Sequence, residues 1–321
     1  MSENTDTGYV RTVTGDIPAN QLGIVLMHEH LVCEISPEQI IREEDPVADL
    51  EGFRRSGGTS IVELTNTGMG QDAAAIQRLS GRTGVTIVIG TGFYRDPWYP
   101  SFVRSAGIEE LTDYMVRQIE EGVEGTGVRA GIVGEIGTSQ EEITPDEAKV
   151  MRAAARAARH SGAPLSTHTS FGTFALEQLD LIEAEGLALD RVSVGHLDLI
   201  PDPDYHTAVA ERGAYVQYDT FGKEQYTADQ RRIDCLLEML ARGFEQQILL
   251  SNDISRATYL VSRGGWGYSH LLDSVVPKLR ECGVSDSTLD LLLCKNPARF
   301  LRLVRGPSLS GNQKPTRKIK A

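Results

Sequence analysis

Two histidines two residues apart, His28 and His30, stand in the apolar run GIVLMHEHL. Alternate side chains of an extended strand share a face, and at about 3.3 Å per residue the two Cα atoms lie ~7 Å apart. Two imidazoles at that separation can grip one cation, so the pair reads as half of a metal site; the same tripeptide also occurs in loops and half-buried strands that bind nothing. Further candidate ligands end other apolar, β-branched runs: Glu135 in RAGIVGEIG, His168 in APLSTHTS, His196 in RVSVGHLD and Asp253 in QQILLSND. Four histidines and two carboxylates exceed the three protein ligands usual for one catalytic zinc. Two ions fit better, with His28, His30 and Asp253 on one, His168 and His196 on the other, and Glu135 and a hydroxide between them. Such a centre polarises a carbonyl or phosphoryl oxygen and lowers the pKa of the bridging water. Asp253 is then placed to accept a proton and pass it to the leaving group.

Elements must bring these residues together. Three further runs, GTSIVELT, GVTIVIGTGF and GAYVQYDTF, supply none of these ligands but complete a set of eight. Between the runs lie segments that read helical, such as TPDEAKVMRAAARAARHSG, with Thr144 as N-cap, Pro145 at the first helical position and Gly162 just past the end. Continuous apolar strands alternating with helices indicate a parallel sheet covered on both faces. Eight of them predict a closed (β/α)8 TIM barrel of α/β class, whose catalytic groups gather at the carboxyl ends of the strands. A doubly wound open sheet is the alternative, but it would spread ligands from strands one, four, five, six and eight along an edge.

Composition fits one enzyme-sized domain over residues 1–305, followed by a basic tail, 306–321, expected to be disordered. A net charge of −13 disfavours nucleic acid as a partner. No apolar stretch approaches the roughly 20 residues needed to span a bilayer, and the polar N-terminus MSENTDTGYVRTVTGD lacks a signal-peptide core. A cytoplasmic protein with a small-molecule substrate and no membrane association is expected, a homodimer being the candidate assembly. The cysteines Cys33, Cys235, Cys282 and Cys294 are scattered without Cys-x-x-Cys spacing, so neither a zinc ribbon nor a dithiol motif is indicated. Cys33, three residues past the pair, is a weak further ligand candidate.

The runs VLMHEHL, AGIVGEIGTS, STHTSFGT, VGHLDL and LLSNDISR, in this order, resemble the phosphotriesterase-like family of the amidohydrolase superfamily from RTVTGDIP to NPARF. The likeness is greatest to the bacterial phosphotriesterase homology proteins, the branch with glutamate at the strand-four position. The resemblance implies a (β/α)8 barrel with a binuclear centre, zinc by first expectation and manganese or cobalt as substitutes. It carries the ligand roles onto His28, His30, His168, His196 and Asp253. The sixth ligand departs from the better-known members, which use a carboxylated lysine: no lysine lies between Val128 and Ser139, and Glu135 stands there instead. Asp198 matches an aspartate that works in proton transfer with a strand-seven histidine, but Thr220 holds that histidine's place, which leaves Asp198 as a partner behind the ligands. Tyr94 resembles a strand-three tyrosine that contacts substrate in lactonase members, or else packs in the core.

Family likeness gives the reaction class and not the molecule. A hydrolase of lactones or carboxylic esters is expected, with phosphotriesters, phosphoesters or N-acyl amides as the alternative and a catalytically inactive binding protein as a lesser one. The stretch FYRDPWYPSFVRSAG after strand three either forms a wall of the mouth, with Trp98 against substrate, or seals the core with Trp98 and Tyr99. In the loop after strand eight, Arg256 and Arg263 are candidates for an anionic substituent and Trp266 for an apolar one, though each could equally serve the surface or the packing.

Overall fold

The computed structural model describes residues 8–304. Each of the eight apolar runs forms a strand: Val25–Glu29, Ser60–Glu63, Thr86–Thr91, Ile132–Thr138, Leu165–Thr169, Val192–Gly195, Tyr215–Tyr218 and Ile248–Leu250. They are called here the first to eighth barrel strands. Neighbours in sequence pair in parallel around one sheet, in the order that runs from eighth to first. No regular ladder joins the first strand to the eighth among the described residues. That seam is bridged by Asp253 N donating to His28 O at 3.1 Å and His30 N to Ile254 O at 3.3 Å. An α/β barrel of one domain results.

Both faces of the sheet are buried, which is why the strands read as unbroken apolar runs. Ile248 and Leu250 belong to the outer core beneath the helices, whereas Leu249 joins Val25, Met27, Val62, Val88 and Ile132 in a second cluster inside the barrel. Val10 of the N-terminal hairpin (Tyr9–Thr12 and Gly15–Pro18) and Phe300 of the last helix close that inner cluster. The outer ring contains helices α1 (Val47–Arg55), α2 (Ala73–Thr83), α3 (Ser101–Ser105), α4 (Ile108–Glu120), α5 (Pro145–Ser161), α6 (Ala175–Glu183), α7 (Pro203–Glu211) and α8 (Asp229–Ala241).

Helix α5 starts and stops as its sequence predicts. Thr144 accepts from Glu147 N while Glu147 reaches back to Thr144 N, and Gly162 ends the helix in the left-handed region at φ 75°. The basic tail and residues 1–7 lie outside the described residues. No helix among those described is long and apolar enough to cross a membrane.

Candidate metal centre

At the carboxyl end of the fourth strand, Glu135 points its carboxylate into a ring of four imidazoles. Its Oε2 lies 2.9 Å from His168 Nδ1, 3.4 Å from His28 Nε2 and 3.8 Å from His196 Nε2, and its Oε1 lies 3.4 Å from His30 Nε2. Asp253 Oδ1 meets His30 Nε2 at 3.4 Å. All six predicted ligands therefore converge, although they come from strand ends spread over the whole barrel.

The far side of each ring decides which nitrogen faces the centre. Asp219, just past the seventh strand, takes His28 Nδ1 on Oδ2 at 2.9 Å and His196 Nδ1 on Oδ1 at 3.0 Å, and also accepts from His196 N at 2.9 Å. His30 Nδ1 meets Thr65 Oγ1 at 2.9 Å. With Nδ1 engaged outward, the Nε2 lone pairs of His28, His30 and His196 face the centre, the arrangement expected when outer partners orient metal-binding histidines. His168 is turned the other way, with Nδ1 on Glu135 and Nε2 3.2 Å from the Tyr94 hydroxyl.

A cation fits this donor set. His28 Nε2, 3.4 Å from Glu135 Oε2, and Asp253 Oδ1, 3.4 Å from His30 Nε2, are buried without a hydrogen-bond partner, and a buried polar atom left unpaired is costly. The groupings that can share one ion are His28, His30 and Glu135 on one side, and Glu135, His168 and His196 on the other. A further grouping, His28, His196 and Asp219, uses the Nδ1 atoms that already donate to Asp219, so we read it as the outer layer. Burial alone would lower the histidine pKa values, but the carboxylates of Glu135, Asp219 and Asp253 override it. They hold His28 well above its ordinary value and raise His30 and His196 to about 9. His168 goes the other way, to about 4, through burial and the neighbouring His196 despite Glu135. Burial opposes ionisation of Glu135, yet the imidazoles keep it well below the usual range.

Two of these residues have uncommon backbones: His196 at φ 61° and Asp253 at φ 49° both lie in the left-handed region. Such conformations persist where the surroundings over-determine them, and they cluster at active sites. Asp253 is further fixed by Lys223, whose ammonium contacts Oδ2. Burial would raise the Asp253 pKa, but Lys223 and His30 hold it well below the carboxylate range.

The centre opens into a cavity of about 190 Å³ whose lining includes Tyr94, Trp98, Arg95 and Arg256 along with His30, His168 and Asp253. Trp98 lines the cavity, its ring anchored by Nε1 donating to Ile35 O at 3.1 Å, and it belongs to neither core cluster. Tyr99 is buried. The Nε atoms of Arg95 and Arg256 are buried without partners, and neither guanidinium belongs to an ion pair among the described residues.

Trp266 does not line the cavity, which corrects the expectation for it. Its ring stacks on Tyr259 at 4.4 Å behind the wall, with Gly222 hard against it, so Tyr259 is what substrate would meet. Arg263 faces solvent and pairs with Asp45. Cys33 is buried, with Sγ directed at the carbonyls of Gln39 and Ser255, away from the ligands. Asp198 is not the partner that orients the histidines. Its Oδ2 accepts from Thr220 N and Oγ1 at 3.0 and 2.9 Å, with Arg232 Nε at 3.3 Å, and Asp219 holds the orienting position instead. Asp219 could have been found in sequence, because it ends the seventh apolar run as the ligands end theirs. Lys223 carries no such signal: a lone lysine in a loop reads as a solvated charge.

A family model described as the phosphotriesterase family matches residues 8–301. The chain belongs to the phosphotriesterase family. It is 40% identical over 286 residues to the phosphotriesterase homology protein of Escherichia coli, covering 87% of this chain and 98% of that protein. A crystal structure of that protein, with phosphate in its active site, superposes with a TM-score of 0.86 over 88% of this chain and 99% of that one, at 39% identity. The N-acetyltaurine hydrolase of Xenopus tropicalis is 32% identical, over 92% of this chain and 98% of its own. A lactonase structure from Listeria monocytogenes gives a TM-score of 0.88 at 32% identity, covering 92% and 99%. Members of this family are metal-dependent hydrolases, and this chain is a hydrolase.

Proposed function

We propose that the protein is a binuclear metal-dependent hydrolase acting on a lactone or carboxylic ester that carries an anionic substituent. The observation that supports this most directly is Glu135, whose two oxygens face all four histidines at once. His28, His30 and Asp253 would hold one ion, His168 and His196 the other, with Glu135 shared. When bound, such a pair supplies Lewis-acid polarisation of the scissile carbonyl and an acidified attacking water. Asp219 and Thr65 hold the rings of His28, His196 and His30 with Nε2 toward the centre. The Tyr94 hydroxyl, beside His168 in the cavity wall, is placed to donate to the substrate's carbonyl or leaving oxygen. Asp253, between His30 and Lys223, is the group placed to take the proton of the attacking water and return it to the leaving oxygen. Arg95 and Arg256, both without carboxylate partners, favour an anionic substituent on the bound molecule.

A second reading rests on the relatives. The phosphate in the active site of the E. coli protein and the name of the N-acetyltaurine hydrolases favour a phosphoester or an N-acyl amide with an anionic end as the alternative substrate. The test is a substrate panel on zinc- or manganese-loaded protein: lactones, carboxylic esters, phosphotriesters, phosphomonoesters and N-acyl amides, each with and without a carboxylate, sulfonate or phosphate. Faster turnover of anionic lactones or esters than of every other class is expected. Preference for an amide or phosphoester would select the second reading, and no hydrolysis of any class by metal-loaded protein would overturn both.

A further inference from the structure

The glutamate between the paired histidines, Glu29, is fully buried and forms no ion pair among the described residues. Its Oε1 accepts from Ser251 Oγ at 2.7 Å and Asn252 N at 2.9 Å, and its Oε2 accepts from Ile254 N at 2.7 Å. These donors lie on either side of Asp253, across the seam where the barrel has no regular ladder. Ser251 Oγ also accepts from His28 N at 2.9 Å. Every other pair of adjacent strands forms a regular ladder, whereas this seam has the two backbone bonds Asp253 N to His28 O and His30 N to Ile254 O.

We propose that Glu29 is a positioning residue of the metal centre: its carboxylate adds to the two backbone bonds of the seam and sets Asp253 against the histidine pair. The amides of residues 252 and 254 each need an acceptor, and the Glu29 carboxyl offers one oxygen to each, while the Ser251 hydroxyl lies between Oε1 and His28 O at 2.7 and 2.9 Å. By clamping the amides of residues 252 and 254, it holds the peptide on both sides of Asp253 while that residue keeps its left-handed conformation at φ 49°. The clamp thereby fixes Asp253 Oδ1 at 3.4 Å from His30 Nε2. A glutamine here would turn one acceptor into an NH2 donor, facing either Ile254 N–H or the pair at Ser251 and Asn252. The role of the clasp in metal binding rests on the proposed metal centre, whereas its role at the seam does not.

The test uses full-length Glu29→Gln and Ser251→Ala, with Leu79→Ala on the outer helix α2 as a control for general destabilisation. In metal-free protein, amide exchange at residues 252–254 should accelerate about tenfold or more in Glu29→Gln, the scale of one lost hydrogen bond, and should match wild type in the control. Zinc affinity, measured by chelator competition, should weaken roughly 10- to 100-fold, and the visible spectrum of the cobalt-loaded protein should change. Wild-type exchange together with wild-type zinc affinity overturns the proposal. Faster exchange with unchanged zinc affinity and cobalt spectrum also overturns it, since Glu29 would then merely close the barrel. If wild-type protein itself binds no metal, the metal-centre reading fails, and the positioning role fails with it; the exchange measurement still shows whether the clasp holds the seam. Should Glu29→Gln fail to fold, Ser251→Ala, which keeps the carboxylate and removes one donor, is judged by the same two measurements.

Discussion

One carboxylate, Asp219, serves two imidazoles, and that economy makes it the residue whose loss should be felt most widely without touching a ligand. Asp219→Asn keeps the shape but leaves one histidine facing an amide N–H₂, so its preferred tautomer changes. Zinc affinity should drop roughly 10- to 100-fold with the far-UV spectrum intact; unchanged affinity in a chelator competition would remove Asp219 from the centre. Asp253→Asn tests a different step. The substitution lies at the barrel mouth and not in the packed interior, so the fold should survive. Turnover of the fully metallated variant should fall about 10²- to 10⁴-fold, the range for a lost general acid or base. Wild-type turnover at full metal occupancy would limit Asp253 to coordination.

Helix α7 is pinned to the seventh strand by a buried histidine that the metal centre does not use. His206 Nδ1 lies 2.8 Å from the Tyr218 hydroxyl, and its Nε2 donates to the carbonyls of Leu197 and Ile200 at 2.9 and 3.0 Å. Burial lowers the pKa of His206 despite the carbonyls of Leu197 and Ile200, which raise it. The sign follows from linkage: below about pH 6.5 the unfolded chain binds a proton at this position that the folded chain does not. Its stabilising contribution is thus complete above that pH and is lost as pH falls toward the folded pKa. Thermal melts should show a pH-dependent decline in this window that is shallower in His206→Gln, although that variant is less stable throughout. An identical slope would mean that His206 is free to protonate in the folded state. Helix α5 differs from α7 in how it could be read: its cap, first proline and terminal glycine are all local signals, whereas nothing in PDYHTAVAE tells that His206 faces a tyrosine twelve residues on.

For the molecule as a whole, a centre assembled from five strands couples metal to folding, because the unfolded chain has no such site. Loading with zinc should give close to two ions per chain by elemental analysis. Ligand at about a thousand times Kd adds roughly 4 kcal/mol per site, so chelation should lower Tm by several degrees and zinc should restore it. A melt indifferent to zinc, with no zinc retained, would remove the centre. The eight strands and the six converging residues were legible because both follow from a local rule: apolar runs bury both faces, and chemistry sits at their carboxyl ends. Trp266 and Asp198 show where that rule stops, since a residue near the mouth in sequence can point behind the wall or toward another helix. The pairings of Asp219 with two histidines, Lys223 with Asp253 and Glu29 with residues 251–254 join positions up to 225 apart in sequence. The sequence alone determined the strands, the helix ends and the candidate ligands, because each depends on its immediate neighbours. Which nitrogen faces the centre, which carboxylate stands behind it and how the last strand meets the first were decided by closing the barrel, which sets distances that no local pattern encodes.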